Sequence, residues 1–398
     1  MFLYVTSDDI GANTGGGQVT HFELQALKSL GNVDVLTPKQ TSDPFEADNN
    51  IQIENLSKYK LAHFYSHSFP NFTKKLKEAG VKITYTVAAH DKDLSRAEHE
   101  GLGMSFPYKH LTDPELFSVY SSSYKNADLV IAPSNIAASL LKKYGVEKTF
   151  VLSHGHNPVK FSKKPKNFNV GYLGQCGPDK GIRYLLEAWA LLNYKDAILN
   201  LAGVQTTNLL SLIRYFGKGN IVVHGYVKSV EKFYNSNSIY VQPSATEGFG
   251  IEVLEAMSCG LPVVVSDGAG AHELVIDSGI VVEKRNPQYI AQAIHYLKNN
   301  PDVNSDPRAL QRFIDFAHRQ NNMAYEESSY LTSKIKNKEF NPDTHVLEAQ
   351  EHIRNQFLNP KGEKSKAVSA KERGNATYGK YKGREVVSYD GGKSWEYK

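Results

Sequence analysis

Short apolar runs alternate with helix-like spacings of apolar residues from the start of the chain. Strand-like runs occupy residues 2–5, 33–36, 83–87 and 129–132, and apolar residues at helical spacing cover 19–30. Alternation of this kind is typical of βαβ units, in which helices cover both faces of a parallel sheet. The pattern therefore predicts a Rossmann-like, acceptor-side domain over residues 1–160.

Regular alternation lapses between Gly155 and Phe168, and we interpret this stretch as an interdomain linker. A second series follows, with predicted strands at 170–173, 197–202, 221–224, 238–241, 262–265 and 279–282 and helices at 181–192, 230–235 and 287–298. This series predicts a second Rossmann-like domain over residues 166–305, which would hold the donor. Two such domains in tandem imply a cleft between them, since open α/β sheets bind ligands at the carboxyl ends of their strands.

The alternation of strand-like and helix-like patterns ends beyond Pro307. A long helix is predicted over about 308–336, within a segment, 306–340, that we expect to return to the first domain. Residues 341–398 are a polar tail, whose end has the pattern of a hairpin turning at Asp390-Gly391. The pattern assigns no role to this tail.

Composition supports a soluble, two-domain protein. The 398 residues are 40% hydrophobic and 22% charged, which is ordinary for globular domains. A formal net charge of +4 is too small to indicate nucleic acid as a partner. Cys176 and Cys259 lie far apart without metal-ligand spacing, so neither a disulfide framework nor a zinc site is predicted.

The N-terminus predicts a first strand instead of a signal peptide, and no apolar run approaches the ~20 residues of a membrane span. We therefore expect a cytoplasmic protein, at most peripheral to a membrane. Residues 71–77 could form part of a basic amphipathic helix that rests on anionic lipid. A solvated helix face is the favoured interpretation of that segment.

The segment from Glu247 to Glu255 carries the strongest chemical signal. Glu247 follows a predicted strand, and two glycines, Gly248 and Gly250, precede a helix. The glycines let the backbone approach a ligand, and the first N–H groups of a helix attract phosphate. Glu255, about a turn into the helix, could accept two hydrogen bonds from a vicinal diol such as a ribose. The same spacing also fits a loop acid and a helix-surface acid.

Two other glycine-bearing turns each follow a strand and open a helix. Gly15, Gly16 and Gly17 could line an anionic ligand with backbone N–H groups, or form a flexible turn without a ligand. Their spacing is neither the dinucleotide fingerprint nor a Walker loop. Lys180 would lie in a first helical turn, where a cation is unfavourable unless an anion offsets the helix dipole. A bound diphosphate would do so, and a solvated lysine is the alternative.

Histidines and a fourth glycine-rich loop complete the candidates. His90 ends a predicted strand of the first domain and would therefore face the cleft, and His63 and His67 end another. With 14 histidines in the chain, most must be structural or exposed. The loop 266–273 could close the far wall of the site or serve as a plain connector.

Taken in order, these residues resemble the retaining glycosyltransferases of family 4, which have the GT-B fold of two facing Rossmann-like domains with a central cleft. The resemblance extends from about Phe2 to about Lys336 and is most specific between Val170 and Val282. The matching residues in that part are Gly174, Lys180-Gly181, Pro243-Ser244, Glu247-Gly248-Phe249-Gly250, Glu255-Ala256-Met257, the stretch from Cys259 to Val264, and Glu273.

The resemblance implies roles for individual residues. Glu255 would hold the donor ribose, Glu247 would face the donor sugar, and Lys180 would neutralise the diphosphate. His90 would contact the transferred sugar. The remaining donor-binding residues would be Gly15, Gly16, Gly17, Gln175, Phe249, Gly250 and Ile251.

The implied reaction transfers a sugar, with retention at its anomeric carbon, from a nucleotide-diphosphate sugar to a hydroxyl acceptor such as a glycan, a lipid or a small molecule. A UDP- or GDP-sugar is the expected donor, with no separate cofactor and no metal. The chain departs from the family pattern at Gln175, where many members carry arginine, and this puts part of the leaving-group stabilisation in doubt unless Arg183 or another cation supplies it. Two alternatives are a nucleotide-sugar 2-epimerase of similar fold and a catalytically silent nucleotide-sugar or glycan-binding protein.

Overall fold

The computed structural model describes residues 1–12, 14–39, 45–156, 159, 165–204, 209–275 and 279–300, and the backbone of 377–381, 384–388 and 396–397. The first domain is built on a six-stranded parallel sheet in the order β2-β1-β3-β4-β5-β6. Its strands are β1 (Phe2–Val5), β2 (Val33–Leu36), β3 (Leu61–Tyr65), β4 (Lys82–Thr86), β5 (Leu129–Ala132) and β6 (Thr149–Val151).

Helices connect these strands. They are α1 (Gly15–Leu30), α2 (Glu46–Asn49), α3 (Pro70–Glu78), α4 (Lys92–Glu100), α5 (Lys109–Thr112), α6 (Pro114–Asn126) and α7 (Asn135–Lys143). Polar side chains cap several of their N-termini: Asp91 accepts from two backbone N–H groups of α4, and Asp113 does the same for α6. Such caps satisfy N–H groups that have no partner inside the helix.

The second domain repeats the architecture. Its parallel sheet has the order β12-β11-β10-β7-β8-β9. The strands are β7 (Asn169–Leu173), β8 (Ile198–Ala202), β9 (Ile221–Gly225), β10 (Ile239–Gln242), β11 (Val263–Ser266) and β12 (Gly279–Val282). The helices are α8 (Ile182–Leu192), α9 (Leu209–Phe216), α10 (Val230–Asn235), α11 (Ile251–Ser258) and α12 (Pro287–Asn299). The prediction of two Rossmann-like domains is confirmed.

The two sheets meet at the carboxyl ends of their strands. The backbone N–H of Asp91, which follows β4, donates to Thr246 Oγ1 at 2.7 Å, and Ser134 Oγ, which follows β5, donates to the Gly248 carbonyl at 2.8 Å. Thr246 and Gly248 both follow β10. Loops at the ligand-binding edge of one sheet therefore pack against those of the other, and we call the space between them the interdomain cleft.

Helix α3 contains the segment considered for membrane contact. Phe72 and Leu76 of this helix are buried in the core of the first domain, next to Phe64 and Tyr85. Its exposed face carries Lys74, Lys75 and Lys77. The apolar face is therefore already used for folding, and peripheral membrane contact stays a prediction. Within the described ranges, no helix combines the length and apolarity needed to cross a membrane.

The described strands of the tail form a separate antiparallel sheet of β13 (Thr377–Tyr381), β14 (Arg384–Ser388) and β15 (Glu396–Tyr397). Val386 pairs with Tyr397, as in a hairpin. The predicted turn at Asp390-Gly391, the predicted helix at 308–336 and the segment expected to return to the first domain all lie outside the described residues.

Candidate functional site

Lys180 and Glu247 form an ion pair where the strand order of the second sheet reverses. Lys180 follows β7 and Glu247 follows β10, and these strands are neighbours although they are far apart in sequence. Ligands of open α/β sheets bind at such switch points, because loops diverge there and leave a crevice. The Lys180 and Glu247 side chains keep 21% and 17% of their surface exposed, so both remain accessible to a ligand.

Neighbouring carboxylates keep the side chain of Lys180 protonated. Burial by itself would lower the pKa of Lys180, but the carboxylates of Glu247 and Asp179 more than offset it and raise the pKa above its ordinary value. Lys180 is therefore fully charged at neutral pH. A fixed cation at a switch point can neutralise a phosphate group.

His90 lies beside this ion pair. Burial lowers the pKa of His90, and the nearby ammonium of Lys180 lowers it further, against the opposing effect of Asp179, Glu247 and Asp91. The imidazole is therefore neutral at pH 7 and can donate one hydrogen bond and accept another. The structure thus brings the three predicted catalytic residues to one place, although their roles stay predictions.

The N-terminus of α11 faces the same place. Gly250 precedes the helix with φ of 94°, a backbone conformation that favours glycine. A Cβ added to Gly15 of the first domain would lie 3.3 Å from Ile251 Cγ2. The two predicted glycine-bearing segments are therefore in contact across the cleft, next to the first N–H donors of α11.

The structure corrects the expectation that the three consecutive glycines form a loop. Gly15, Gly16 and Gly17 form the first turn of α1. Thr14 caps the helix, and its Oγ1 accepts a hydrogen bond from the Gly17 N–H at 3.0 Å. A Cβ on Gly17 would lie 2.5 Å from the backbone oxygen of Ala12, so close packing and not flexibility requires glycine at that position.

Glu255 lies on α11 and is 2% exposed. Its Oε1 accepts a hydrogen bond from Gln18 Nε2 at 2.7 Å, and its Oε2 accepts one from the Tyr234 hydroxyl at 2.8 Å. Burial raises the pKa of Glu255, and these two bonds work against that shift. Each carboxylate oxygen has a second lone pair, so a ribose diol could bind in addition to these partners.

The remaining donor-site predictions occupy different environments. Phe249 is buried, with its ring edge-on to His154 at a centroid distance of 5.2 Å, so the phenyl group is a packing element. Gln175 is exposed, and its carbonyl accepts a hydrogen bond from the Tyr172 hydroxyl at 2.7 Å. Arg183 Nε donates to Glu187 on the same helix at 2.8 Å, and the structure gives Arg183 no contact with Lys180 or Glu247.

Two functional candidates were missed by sequence reasoning. Gln18 bridges the domains through Glu255, and nothing in the sequence pairs residues 237 positions apart. Glu252, in the first turn of α11, has a pKa raised to about 7 by burial and by the neighbouring carboxylates of Glu247 and Glu255. The sequence signal that could have identified Glu252 is its position next to Gly250 and Ile251 in the glycine-rich motif.

The first domain contributes an acid and an imidazole to the cleft. Asp8 follows β1 and His67 follows β3, and their Oδ2 and Nδ1 atoms are 4.0 Å apart. Burial raises the pKa of Asp8 and lowers that of His67. His63, by contrast, lies within β3 and is buried, with its ring stacked on Tyr4 and Nδ1 2.8 Å from Thr84 Oγ1. His63 is therefore a core residue.

The loop 266–273 contacts the first domain. Glu273 accepts hydrogen bonds from Asn135 Nδ2 at 2.7 Å and from the Ile136 backbone N–H at 3.1 Å. A carboxylate at this position caps helix α7 from the other domain. Glu273 therefore connects the two domains, and a role of this loop in the wall of the site stays a prediction.

Gly248 is expected to tolerate no side chain. A Cβ at this position would lie 2.5 Å from the backbone carbon and oxygen of Ala88, and no side-chain rotation can relieve that overlap. We expect Gly248→Ala to lower the free energy of unfolding by about 1–3 kcal/mol, measured by denaturant titration. Gly101→Ala is the control, since Gly101 has a helical backbone with φ of −62°. Equal stability of the two variants would contradict the packing described.

Comparison with known proteins agrees with this geometry. Residues 167–300 match the family model described as Glycosyl transferases group 1. The capsular polysaccharide biosynthesis glycosyltransferase CapM of Staphylococcus aureus is 30% identical over 145 residues, which are 34% of this chain and 38% of that protein. The chain thus matches less than half the length of this curated relative.

Solved structures show the same fold over most of the chain. Sucrose-phosphate synthase of Thermosynechococcus elongatus has a TM-score of 0.60 at 19% identity, covering 90% of this chain and 99% of that one. Anabaena HepE in complex with UDP-glucose has a TM-score of 0.58 at 19% identity, covering 89% and 100%. Residues 167–300 are therefore similar in sequence to the group 1 glycosyl transferases, and the two sheets together have the GT-B fold.

Proposed function

We propose that this protein is a retaining glycosyltransferase that moves a sugar from a nucleoside-diphosphate sugar to a hydroxyl group of an acceptor. The observation that carries the proposal is the convergence of Lys180, Glu247 and His90 at the switch point of the family-matched domain. Other Rossmann-like sites share the switch point, but a fixed ammonium paired with a carboxylate next to a helix N-terminus suits an anionic leaving group and a sugar together.

In this proposal the nucleotide lies along α11. The ribose diol binds Glu255, and the phosphates lie between Lys180 and the first N–H groups of α11. Glu247 then faces the sugar, and His90 contacts it from the first domain. This order follows the direction of α11, since Glu255 lies about one turn after Ile251 along the helix.

Charge development explains how this site would accelerate transfer. As the bond between the sugar and the diphosphate breaks, negative charge accumulates on the leaving phosphate. Lys180 and the helix N–H groups are fixed before the reaction, so they stabilise this transition state more than the bound donor. The leaving phosphate can itself take the proton of the acceptor hydroxyl, and the mechanism then needs neither a separate catalytic base nor a metal.

A UDP-sugar is the first donor to test, because the structurally similar HepE binds UDP-glucose. GDP-sugars are the second choice. The acceptor would enter from the first domain, where Asp8 and His67 lie beside Gly16. Because Asp8 and its neighbour Asp9 are acidic, a neutral hydroxyl acceptor suits this wall better than an anionic one.

A thermal-shift screen of UDP-, GDP- and ADP-sugars tests donor binding. A ligand present at 100 times its Kd stabilises the folded state by about 2.7 kcal/mol, which corresponds to a rise of about 5–10 °C in the melting temperature of a domain of this size. We expect such a rise with one class of nucleotide sugar and none with the free nucleoside or the free sugar. The absence of any shift at millimolar concentrations would contradict the proposal.

A further inference from the structure

The candidate donor site is rich in carboxylates. Three carboxylates, those of Glu247, Glu252 and Glu255, share this region with one ammonium group, that of Lys180. A nucleotide sugar would add two phosphate charges to an environment that is already net negative when all three acids are ionised. Like charges at short range in a partly buried site repel, so protonation of one carboxylate would favour binding of the phosphates.

Two of the three acids have side-chain partners. Glu247 is paired with Lys180, and Glu255 accepts hydrogen bonds from Gln18 and Tyr234. Among the described residues, the carboxylate of Glu252 receives a hydrogen bond from its own backbone N–H and shows no bond from another side chain. Glu252 is therefore the acid of the three whose charge no side-chain hydrogen bond stabilises.

The side chain of Glu252 also lies at the loop where phosphates would enter. Its Oε1 is 3.9 Å from the position that a Cβ on Gly174 would occupy. Gly174 begins the loop that ends at Lys180. The titratable groups around Glu252 are Glu247 and Lys180 on the two neighbouring loops, Tyr172 on β7, Tyr234 on α10, Tyr240 on β10, and Glu255 on α11.

We propose that Glu252 takes up a proton from solvent when a nucleoside diphosphate enters the site, so that the phosphates meet a neutral carboxylic acid instead of a third carboxylate. The proposal rests on the proposed function, since it concerns how the same donor is admitted. It adds a residue and a pH dependence that the family resemblance does not supply. Glu252 would thereby set the pH range in which the donor binds tightly.

The direction of the pH effect follows from the charge of the free site. Burial and the carboxylates of Glu247 and Glu255 raise the pKa of Glu252 to about 7. Below that pH the acid is already protonated and donor binding takes up few protons. Above it the acid is ionised, so each binding event must recruit a proton and the affinity falls as the pH rises. The donor affinity then falls by up to about tenfold per pH unit, as long as the pKa of Glu252 in the complex remains above the pH.

Isothermal titration calorimetry in pairs of buffers with different ionisation enthalpies measures this proton uptake. UDP-glucose and GDP-mannose are suitable probes, since their diphosphates are diesters and lack the phosphate proton that titrates near pH 6 in a monoester. For the unmodified protein we expect net proton uptake that increases between pH 6 and pH 8 and approaches one proton per donor bound. The Glu252→Gln variant should take up none and should bind with an affinity that is unchanged between pH 6 and pH 8.

Glu115→Gln is the matched control, because Glu115 is an exposed glutamate in the first turn of a helix of the other domain. It should behave like the unmodified protein. If the unmodified protein binds the donor without taking up a proton, the proposal is overturned even if no variant folds. Proton uptake that persists in Glu252→Gln would also overturn it. Failure of both probes to bind at any pH would instead contradict the proposed donor class, which keeps the two hypotheses distinguishable.

Discussion

Replacing Lys180 by methionine is expected to reduce the rate of sugar transfer by about 10³-fold. Methionine keeps the length of the side chain but removes the ammonium, so the charge that develops on the leaving phosphate loses its fixed partner. Loss of a single preorganised donor typically costs 10²–10³-fold in rate, and here the lost donor is charged. The change also leaves Glu247 without its partner beside the incoming phosphates. Initial rates at saturating donor give the measurement.

Lys232→Met is the control for this variant. Lys232 is an exposed lysine in the first turn of α10 in the same domain, and its backbone N–H is capped by Ser229. The control should transfer sugar at the rate of the unmodified protein. A Lys180→Met rate within threefold of the unmodified rate would show that Lys180 does not act on the leaving group.

Replacing Glu255 by glutamine should weaken nucleotide binding by about 100-fold. The proposed ribose contact consists of two hydrogen bonds to a carboxylate, each contributing about 1.5–3 kcal/mol. Glutamine retains the shape of the side chain and one acceptor oxygen, so one of the two bonds, from Tyr234 or from Gln18, can persist. Calorimetric titration with UDP measures the change in affinity, and thermal melting confirms that the variant is folded.

A second ligand shows whether the lost affinity comes from the ribose. The unmodified protein should bind 2′,3′-dideoxy-UDP about 100-fold more weakly than UDP. Because the contact is then already absent, Glu255→Gln should bind the two nucleotides almost equally. This is a double-mutant cycle with one of the changes made in the ligand. Additive losses in the cycle would contradict a direct contact between Glu255 and the ribose.

Much of the fold could be predicted because both sheets are buried and parallel. Strand β5, Leu129–Ala132, was predicted to the residue, and β11, Val263–Ser266, to within one position at each end. Such strands are nearly continuous apolar runs, which stand out from the helical spacing around them. The prediction of the GT-B fold rested on the order of the motifs more than on the pattern of any single strand.

The start of α1 could not be predicted in the same way. Glycine is a poor helix former, so the run from Gly15 to Gly17 suggested a loop and the helix was expected to begin at residue 19. The structure continues the helix back to Gly15, where Thr14 caps it and the backbone packs closely against Asp8 and Ile251. Tertiary packing, which a single sequence does not display, outweighed local propensity.

Site residues could be predicted from the sequence where a motif identified them. They could not be predicted where only a tertiary contact brings them into the site. Glu247 and Lys180 lie in glycine-bearing turns, and their placement on neighbouring strands follows from the Rossmann-like strand order. Gln18 resembles any polar helix residue until the domains come together and place it on Glu255. Glu252 resembles a surface acid in the sequence, because two of the charges that surround it, Glu247 and Lys180, come from separate loops.

The most direct test is transfer of a labelled sugar from its nucleotide to a panel of hydroxyl acceptors, with analysis of both the product and the remaining donor. The account predicts a glycosylated product with the anomeric configuration of the donor, formed by the unmodified protein and almost lost in Lys180→Met. Release of an epimerised sugar without glycosylated product would identify an epimerase. Tight donor binding with no turnover across the panel would contradict catalysis altogether.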